Sequence, residues 1–339
     1  MHRSDGNSRN GVNVKPRAVR AAQLRTVGIV FSKDRAMQLD AVLRSLLRHC
    51  ADPTLPKLHV LHAASSPQSR RQYDSLERYW QGRLPITFHT EQQFRSDLLR
   101  ILGFHLSPKG VVGWPFARAA HRLSRVRGLV PFVAKPWEFV VFLVDDNLFV
   151  RRFSLLQAIR ALHDRPRAIG FSLRLGRNVT TCYALDCPQA LPAFTSVEDG
   201  ILAFDWTDAA CDFGYPLELS SSIYAASTIA RLLSDEEYSS PNTLESRMSV
   251  AVADFKREVR QPELLCFAES IAFCNAVNRV QTAFDNRSGD SPDLSVAALA
   301  DRFDAGLRID IDALSNFTPG ACHGDIPFTF VHGSSILLP

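Results

Sequence analysis

Short apolar runs alternate with amphipathic segments through the first half of the chain. The runs are rich in β-branched residues, as in strands buried on both faces, and the segments between them repeat apolar residues at helical spacing. Strands and helices in turn, joined by short links, predict a parallel sheet wound by right-handed crossovers. The predicted strands are 26–32, 57–63, 85–89, 138–144 and 168–174, and the predicted helices are 35–49, 67–81, 91–102 and 153–163.

The second half of the chain is less regular, and it contains no internal repeat. We therefore predict one α/β domain over 26–339, with a mostly parallel sheet flanked by helices and an elaborated second half. The elements predicted there are short strands at 193–197 and 201–206, an extended segment at 215–227, a helix that begins near Pro241 and a late helix at 293–304.

Composition and charge narrow the class of protein. A chain of 339 residues with 46% hydrophobic and 22% charged residues is typical of soluble globular proteins. The net charge of +4 is too small to indicate nucleic-acid binding, so we expect no nucleic-acid partner. The seven cysteines form no Cys-x-x-Cys pair, which favours reduced thiols in a cytoplasmic protein.

Two polar segments bear on location. Residues 1–25 are polar and Arg-rich without an apolar core, which predicts a disordered basic tail rather than a signal peptide. Residues 107–137 combine basic and aromatic residues without a carboxylate. Such a segment can contact an anionic membrane surface, here the inner face of the membrane, although a solvated helix face with a surface loop has the same composition.

An acidic pair follows the most apolar predicted strand. Asp145 and Asp146 come directly after 138–144, and ligands of open α/β sheets bind beyond the carboxyl ends of the strands. Adjacent buried carboxylates need a counter-charge, and Mn²⁺ or Mg²⁺ would supply it and also neutralise a diphosphate. A turn capped by aspartates is the alternative interpretation.

A polar segment also follows the first strand. Ser32, Lys33, Asp34 and Arg35 open the next helix, where main-chain N–H groups favour phosphate. Lys33 or Arg35 can pair with phosphate oxygens and Asp34 can cap the helix, although a capping Asp with solvent-exposed neighbours fits as well. The sequence has neither the Gly-x-Gly-x-x-Gly of dinucleotide sites nor a P-loop.

Six segments, in one order over nearly the whole ordered chain, carry a resemblance to a known family. The chain resembles GT-A-type glycosyltransferases, and more narrowly a poorly characterised bacterial group of predicted glycosyltransferases. The matching segments are VGIVFSKDRAMQL (27–39), FLVDDNLF (142–149), GFSLRLGRN (170–178), PNTLESRM (241–248), NRVQ (278–281) and FDAGLRIDIDALSNFTPGACH (303–323).

This resemblance implies a nucleotide-diphosphate sugar donor and an unknown glycan, lipid or protein acceptor. It also implies that the transfer belongs to the synthesis of a surface glycan or polysaccharide. It implies a nucleotide-sugar half over 26–175 and an acceptor half over 176–339. Ser32, Asp34 and Arg35 would line the nucleotide pocket. Asp145 and Asp146 would hold Mn²⁺ or Mg²⁺ in an Asp-x-Asp-type site, with Asn147 where a third acid often stands.

The C-terminal half offers further candidates. His323, or else His332, is a candidate metal ligand because imidazole suits Mn²⁺; a hydrogen-bonded loop histidine is the alternative. Glu245, in the first turn of the helix after Pro241, is our candidate base for the acceptor hydroxyl, although a helix N-terminal acid needs no such role.

Departures from the family pattern leave two other functions open. Three serines, Ser220 to Ser222, stand where we expect an acid followed by Gly, so Asp199, Asp205 and Asp212 remain alternative acids. One competing function is a nucleotidyltransferase, which would need a Gly- and Lys-rich loop after the first strand. The other is a non-catalytic nucleotide- or glycan-binding relative.

Overall fold

The computed structural model describes residues 24–103, 137–235, 237–258, 261–281, 284 and 286–333. The strands are β1 Thr26–Lys33, β2 Lys57–Ala63, β3 Ile86–Thr90, β4 Phe139–Val144, β5 Asn147–Phe149, β6 Ala168–Ser172, β7 Thr181–Cys182, β8 Cys187–Pro188, β9 Thr195–Glu198, β10 Ile201–Asp205, β11 Ser221–Ala225, β12 Glu263–Phe267, β13 Ala272–Asn275, β14 Leu307–Ile309, β15 His323–Gly324 and β16 Phe330–His332. The helices are α1 Ala36–His49, α2 Pro67–Trp80, α3 Phe94–Ile101, α4 Leu155–His163, α5 Ala226–Asp235, α6 Pro241–Glu258 and α7 Val296–Asp304.

A central sheet has the strand order β3-β2-β1-β4-β11-β6-β12-β10-β9. Strands β11 and β10 run antiparallel to their neighbours, and the other strands of this sheet run in one direction. The predicted α/β class with a mostly parallel sheet is therefore confirmed. Because β11 lies between β4 and β6, the segments 26–175 and 176–339 contribute to the same sheet.

Helices cover both faces of this sheet, which explains why its strands are apolar runs rather than alternating patterns. On β1, Val30 packs into the core beneath α1, α2, α4 and α7. Its neighbours Ile29 and Phe31 pack into the opposite core beneath α3, α5 and α6. Gly28 on β1 has no space for a larger side chain, since a Cβ there would lie 2.5 Å from the Leu58 side chain.

The predicted elements of the first half are all present, with ends that differ by a few residues. The second half departs further, because its strands are short and are not separated by helices in a regular order. The segment 215–227 divides into a loop, β11 and the start of α5, and β12 and β13 follow without having been predicted. The late helix begins at Val296, after a short 3-10 turn at Pro292–Leu294.

The predicted tail at 1–25, except for its last two residues, and the basic segment at 107–137, except for Trp137, lie outside the described residues. None of the helices in the described part of the chain is long and apolar enough to cross a membrane.

A small sheet brings distant residues to the end of β4. Its order is β15-β13-β5, and it pairs Cys274 with Asn147 on one side and with His323 on the other. In the central sheet, Ser221 at the start of β11 pairs with Leu143 near the end of β4. The carboxyl ends of β4 and β6 and the start of β11 therefore share one edge.

Two buried histidines on β2 make stability depend on pH. His59 Nε2 and His62 Nδ1 are buried without a hydrogen-bond partner in the structure. Burial lowers the pKa of both imidazoles to about 4, whereas an unfolded histidine has a pKa near 6.5. Between these values the unfolded chain binds more protons than the folded one, so the free energy of unfolding falls as the pH drops from about 6.5 to about 4.

His62→Phe should reduce this dependence. Phenylalanine keeps the stacking on Tyr73, whose ring centroid lies 4.3 Å from that of His62, but it cannot be protonated. We expect the decrease in free energy of unfolding between pH 7 and pH 5, measured by urea denaturation, to be about 1–2 kcal/mol smaller than in the wild type. The exposed His163, changed to Phe, is the matched control. Equal decreases in His62→Phe and wild type would contradict the assignment.

Candidate functional site

One group of charged side chains lies beyond the ends of β1 and β4. The Arg35 Nη1 atom is 3.0 Å from Asp145 Oδ1 and 3.3 Å from Asp146 Oδ2. The other Asp145 oxygen accepts hydrogen bonds from Ser32 Oγ at 2.9 Å and from the Lys33 N–H at 3.0 Å. The two acids thus have a counter-charge from the chain itself, so the need for a counter-charge does not by itself call for a divalent cation.

Tyr73 and Asn278 complete this group, and neither was predicted. The Tyr73 hydroxyl lies 2.6 Å from Ser32 Oγ and accepts a hydrogen bond from the Arg35 N–H. Asn278 Oδ1 accepts from Arg35 Nε at 2.9 Å. Asn278 is the first residue of the NRVQ segment, so the resemblance contained it without giving it a role. We call Ser32, Arg35, Tyr73, Asp145, Asp146 and Asn278 the Arg35 cluster.

The remaining residues after β1 have different surroundings. Lys33 is exposed. The Asp34 carboxylate accepts from the N–H and Oγ of Ser65, both at 2.7 Å, and so ties the end of β1 to the end of β2. Arg35, not Asp34, is the residue before α1, so the predicted helix cap is wrong. Because Arg35 is buried against acids, Lys33 is the side chain of this segment that is open to a phosphate.

Asn147 serves the fold rather than the acidic pair. It is fully buried, and its Oδ1 accepts from the Val144 N–H at 2.9 Å, which closes the turn between β4 and β5. Its Nδ2 donates to Ser221 Oγ at 2.9 Å and lies 3.0 Å from Cys274 Sγ. The Asn147 amide therefore acts within the fold, and it makes no contact with the two acids in these hydrogen bonds.

A second group lies beyond β6. Arg174 Nη2 is 2.8 Å from Glu218 Oε2, and both side chains are buried. The N–H of Ser220 and the hydroxyl of Ser222 also donate to the Glu218 carboxylate. The serines that depart from the expected acid-Gly pattern thus hold an acid two positions earlier in the chain.

Glu245 lies against this ion pair. The Leu219 N–H and the Tyr215 hydroxyl favour the charged form of its carboxyl group and so lower its pKa. Burial raises the pKa of Glu245 to about 7, and the negative charge of Glu218 adds to the rise, while Arg174 opposes it. Its carboxyl group can therefore gain or lose a proton near neutral pH. We call Arg174, Tyr215, Glu218, Glu245 and His323 the Arg174 cluster.

His323 joins the Arg174 cluster and not the acidic pair. Its Nε2 is 3.1 Å from Arg174 Nη1. Burial first, and the Arg174 charge second, lower the pKa of His323 to about 3, so the ring is neutral and Nε2 accepts from the guanidinium. The lone pair that a metal ion would need is thus used by Arg174.

The predicted metal ligands Asp145, Asp146 and His323 do not fit one ion in this arrangement. Within the described part of the chain, no group of three or more His, Cys, Asp and Glu side chains is placed to hold a metal. Asp146 Oδ1 is buried without a hydrogen-bond partner, and it is the one oxygen of the acidic pair in that condition. Dependence on Mn²⁺ or Mg²⁺ stays a prediction.

The other candidate side chains lie apart from both clusters or at their margin. His332 and Asp199 are exposed. Asp205 accepts from the N–H and hydroxyl of Thr207 in a turn. Asp212 lies closer to the Arg174 cluster: burial raises its pKa, and the Arg174 charge lowers it.

Cys274 connects the two clusters. Its Sγ lies 3.0 Å from Asn147 Nδ2, beside the acidic pair, and 3.3 Å from Arg174 Nη1. The two groups of charges are therefore neighbours along one edge of the sheet. The exposed Lys33 lies at the end of β1, and Glu245 lies in the Arg174 cluster; a cation and a carboxyl group of raised pKa are residue types that suit group transfer from a phosphate ester to a hydroxyl.

Comparison with known proteins shows what the chain is similar to. No protein-family model matches the chain. The bifunctional glycosyltransferase pgtA of Dictyostelium discoideum is 23% identical over 283 residues, which cover 76% of this chain and 32% of that protein. The chain is similar to a glycosyltransferase. The resemblance inferred from the motifs is thereby confirmed, and the chain spans about a third of the length of this curated relative.

Solved structures similar to the chain include the following three. S. aureus TarS has a TM-score of 0.39 at 14% identity, covering 74% of this chain and 36% of that one. A TarS complex with UDP-GlcNAc has a TM-score of 0.38 at 13% identity, with 74% and 57% covered. The bifunctional glycosyltransferase WbbM has a TM-score of 0.34 at 13% identity, with 69% and 38% covered.

Arg174→Met should destabilise the protein strongly. It leaves the buried Glu218 carboxylate without its cation, and breaking a buried ion pair in this way costs about 3–5 kcal/mol. Urea denaturation at pH 7.5 measures the change in free energy of unfolding. As the matched control, Arg165→Met removes a partly exposed ion pair with Glu263 and should cost less than about 1 kcal/mol. Similar losses in both variants would show that the Arg174–Glu218 pair is not specially placed.

Proposed function

We propose that this chain transfers a sugar from a nucleotide-diphosphate sugar to an acceptor hydroxyl, with Glu245 as the general base. The observation that carries the proposal is Glu245 itself, a carboxyl group with a pKa of about 7 on the same sheet edge as the polar ends of β1 and β4. The similarity to pgtA supports the sugar as the transferred group. We place the acceptor in surface glycan or polysaccharide synthesis, and the enzyme in the cytoplasm.

The donor's diphosphate is assigned to the edge formed by β1 and β4. Lys33 is exposed there and supplies a cation for phosphate oxygens. Helix α1 begins at Ala36 without a side-chain cap, so its N-terminal dipole also favours an anion. Asp34 and Ser65, at the ends of β1 and β2, offer hydrogen-bonding groups for the nucleoside.

The acceptor's proton is assigned to Glu245. As the acceptor oxygen bonds to the anomeric carbon, the bond from that carbon to the diphosphate oxygen breaks, and the hydroxyl proton passes to the carboxylate. A general base works best when its pKa is near the working pH, and that of Glu245 is about 7. A bound divalent cation, if the enzyme uses one, would supply Lewis-acid stabilisation of the departing diphosphate.

Two features favour this function over the competing ones. A nucleotidyltransferase would need a flexible Gly- and Lys-rich loop after β1, whereas Ser32 and Arg35 are fixed by Tyr73 and Asp145. A non-catalytic relative would have no need of an acid with a raised pKa, and Glu245 keeps one.

A panel of UDP-, GDP- and TDP-sugars in a thermal-shift assay, each with and without Mn²⁺, tests donor binding. One nucleotide should raise the melting temperature, since a ligand at about a hundred times its Kd adds about 2.7 kcal/mol to the free energy of unfolding. The free monosaccharides serve as controls and should give no shift. If no nucleotide sugar stabilises the protein under either condition, the transferase proposal fails.

Glu245→Gln tests the base. Slow transfer of the donor sugar to water, measured by release of nucleoside diphosphate, should fall by roughly 100- to 10,000-fold, while stabilisation by the donor is unchanged. Glu198→Gln is the matched control, because it removes the same negative charge from an exposed residue on edge strand β9. Unchanged hydrolysis in Glu245→Gln would remove Glu245 from the mechanism.

The pH profile of the same reaction tests the electrostatics around Glu245. In the wild type, kcat/KM should rise with pH through about 7, as Glu245 loses its proton. Glu218→Gln removes the negative charge that raises the pKa of Glu245 and leaves Arg174, which lowers it, so the midpoint should move to lower pH. A midpoint that stays in place or moves upward would contradict this account of the cluster.

A further inference from the structure

The position of Arg35 in its cluster is fixed from two sides. On one side, its Nη1 lies between the two acids, 3.0 Å from Asp145 Oδ1 and 3.3 Å from Asp146 Oδ2. On the other side, Nε donates to Asn278 Oδ1 at 2.9 Å, and Nη2 donates to the Asn278 carbonyl oxygen. The side chain is only 8% exposed. The guanidinium is therefore built into the site and is not a surface group that happens to reach it.

Asn278, which holds Arg35 from behind, is itself anchored. Its Oδ1 also accepts from Gln38 Nε2 at 3.2 Å, and its Nδ2 donates to the Leu294 carbonyl oxygen at 2.6 Å. Helix α1 and the segment before α7 thus fix the asparagine that fixes the guanidinium. Moving Arg35 away from the acids would break its two contacts with this anchored asparagine.

The acidic pair has little capacity left for a metal ion. Asp145 uses one oxygen for Arg35 and the other for Ser32 and Lys33. Asp146 has one oxygen on Arg35 and one without a partner. A divalent cation that bridged the two carboxylates would stand next to the guanidinium, and like charges at contact distance inside a protein repel strongly.

We propose that Arg35 is the resident counter-cation of Asp145 and Asp146 and takes the place of a divalent metal ion between them. The nucleotide-sugar donor then binds without Mn²⁺ or Mg²⁺, and this second part rests on the proposed function. The acidic pair serves to hold Arg35 beneath the donor site, and the cations near a diphosphate are side chains of the chain itself.

Binding of Mn²⁺ to the full chain without nucleotide, measured by the loss of the free-ion electron paramagnetic resonance signal, tests the first part. Wild type should bind no Mn²⁺ at the acidic pair. Arg35→Ala frees both carboxylates and opens the space between them, so it should bind about one Mn²⁺ per chain. Adding Asp146→Asn to Arg35→Ala should weaken that binding, because it removes the charge of one of the two carboxylates that would hold the ion.

Arg48→Ala, which removes an exposed ion pair from α1, the helix that follows Arg35, is the matched control and should behave as wild type. Arg35→Lys keeps the positive charge and should also bind no Mn²⁺. Wild-type binding of Mn²⁺ that Asp146→Asn abolishes would overturn the proposal, and this measurement does not depend on how Arg35→Ala folds. A folded Arg35→Ala that binds no Mn²⁺ would equally overturn it, because Arg35 would then occupy no cation site.

The nucleotide that stabilises the wild type in the thermal-shift panel tests the second part. The shift should be the same in EDTA as in Mn²⁺. A shift that appears only with Mn²⁺ overturns the metal-independent binding and leaves the transferase proposal standing. If no nucleotide gives a shift, the transferase proposal fails, and the Mn²⁺ measurements still decide what Arg35 does.

Discussion

Two buried arginines determine how charges are arranged at the functional edge of this sheet. Arg35 and Arg174 each lie almost fully buried at the carboxyl end of a strand, in contact with a carboxylate. A buried charge is tolerated only when it is paired and hydrogen-bonded, so each arginine requires its acid and each acid its arginine. The loops that follow β1, β4 and β6 are consequently held in place by ion pairs as much as by apolar packing.

The two arginine sites are mechanically connected through uncharged side chains. Asn147 closes the turn after β4 and contacts both Ser221 and Cys274, while Cys274 contacts Arg174. The small sheet that contains β5, β13 and β15 is what places these residues together. A change in the acidic turn would therefore reach the Glu218–Arg174 pair through two packed side chains, without a long path through the core.

The sequence was sufficient to predict those parts of this arrangement that depend on the local pattern of apolar and polar residues. The strands before Ser32 and Asp145 are apolar on both faces, so their ends, and the polar residues after them, could be predicted. The same rule would have selected Arg174 after β6, had it been applied there. Tyr73 and Asn278 could not be found in this way, because they contact Ser32 and Arg35 across 41 and 243 residues of chain. The residue types alone also could not predict that the Arg35 side chain contacts the two acids rather than a phosphate.

Each cluster contains two carboxylates for one arginine, and the contacts divide them unequally. Both oxygens of the Asp145 and Glu218 carboxylates accept hydrogen bonds from the arginine, a Ser hydroxyl or a main-chain N–H. Asp146 keeps an oxygen without a partner, and Glu245 keeps a proton near neutral pH. In a site that a substrate enters, acids held in this way position the arginines. The second acid of each cluster has fewer such contacts, which is why we propose Glu245 rather than Glu218 as the base.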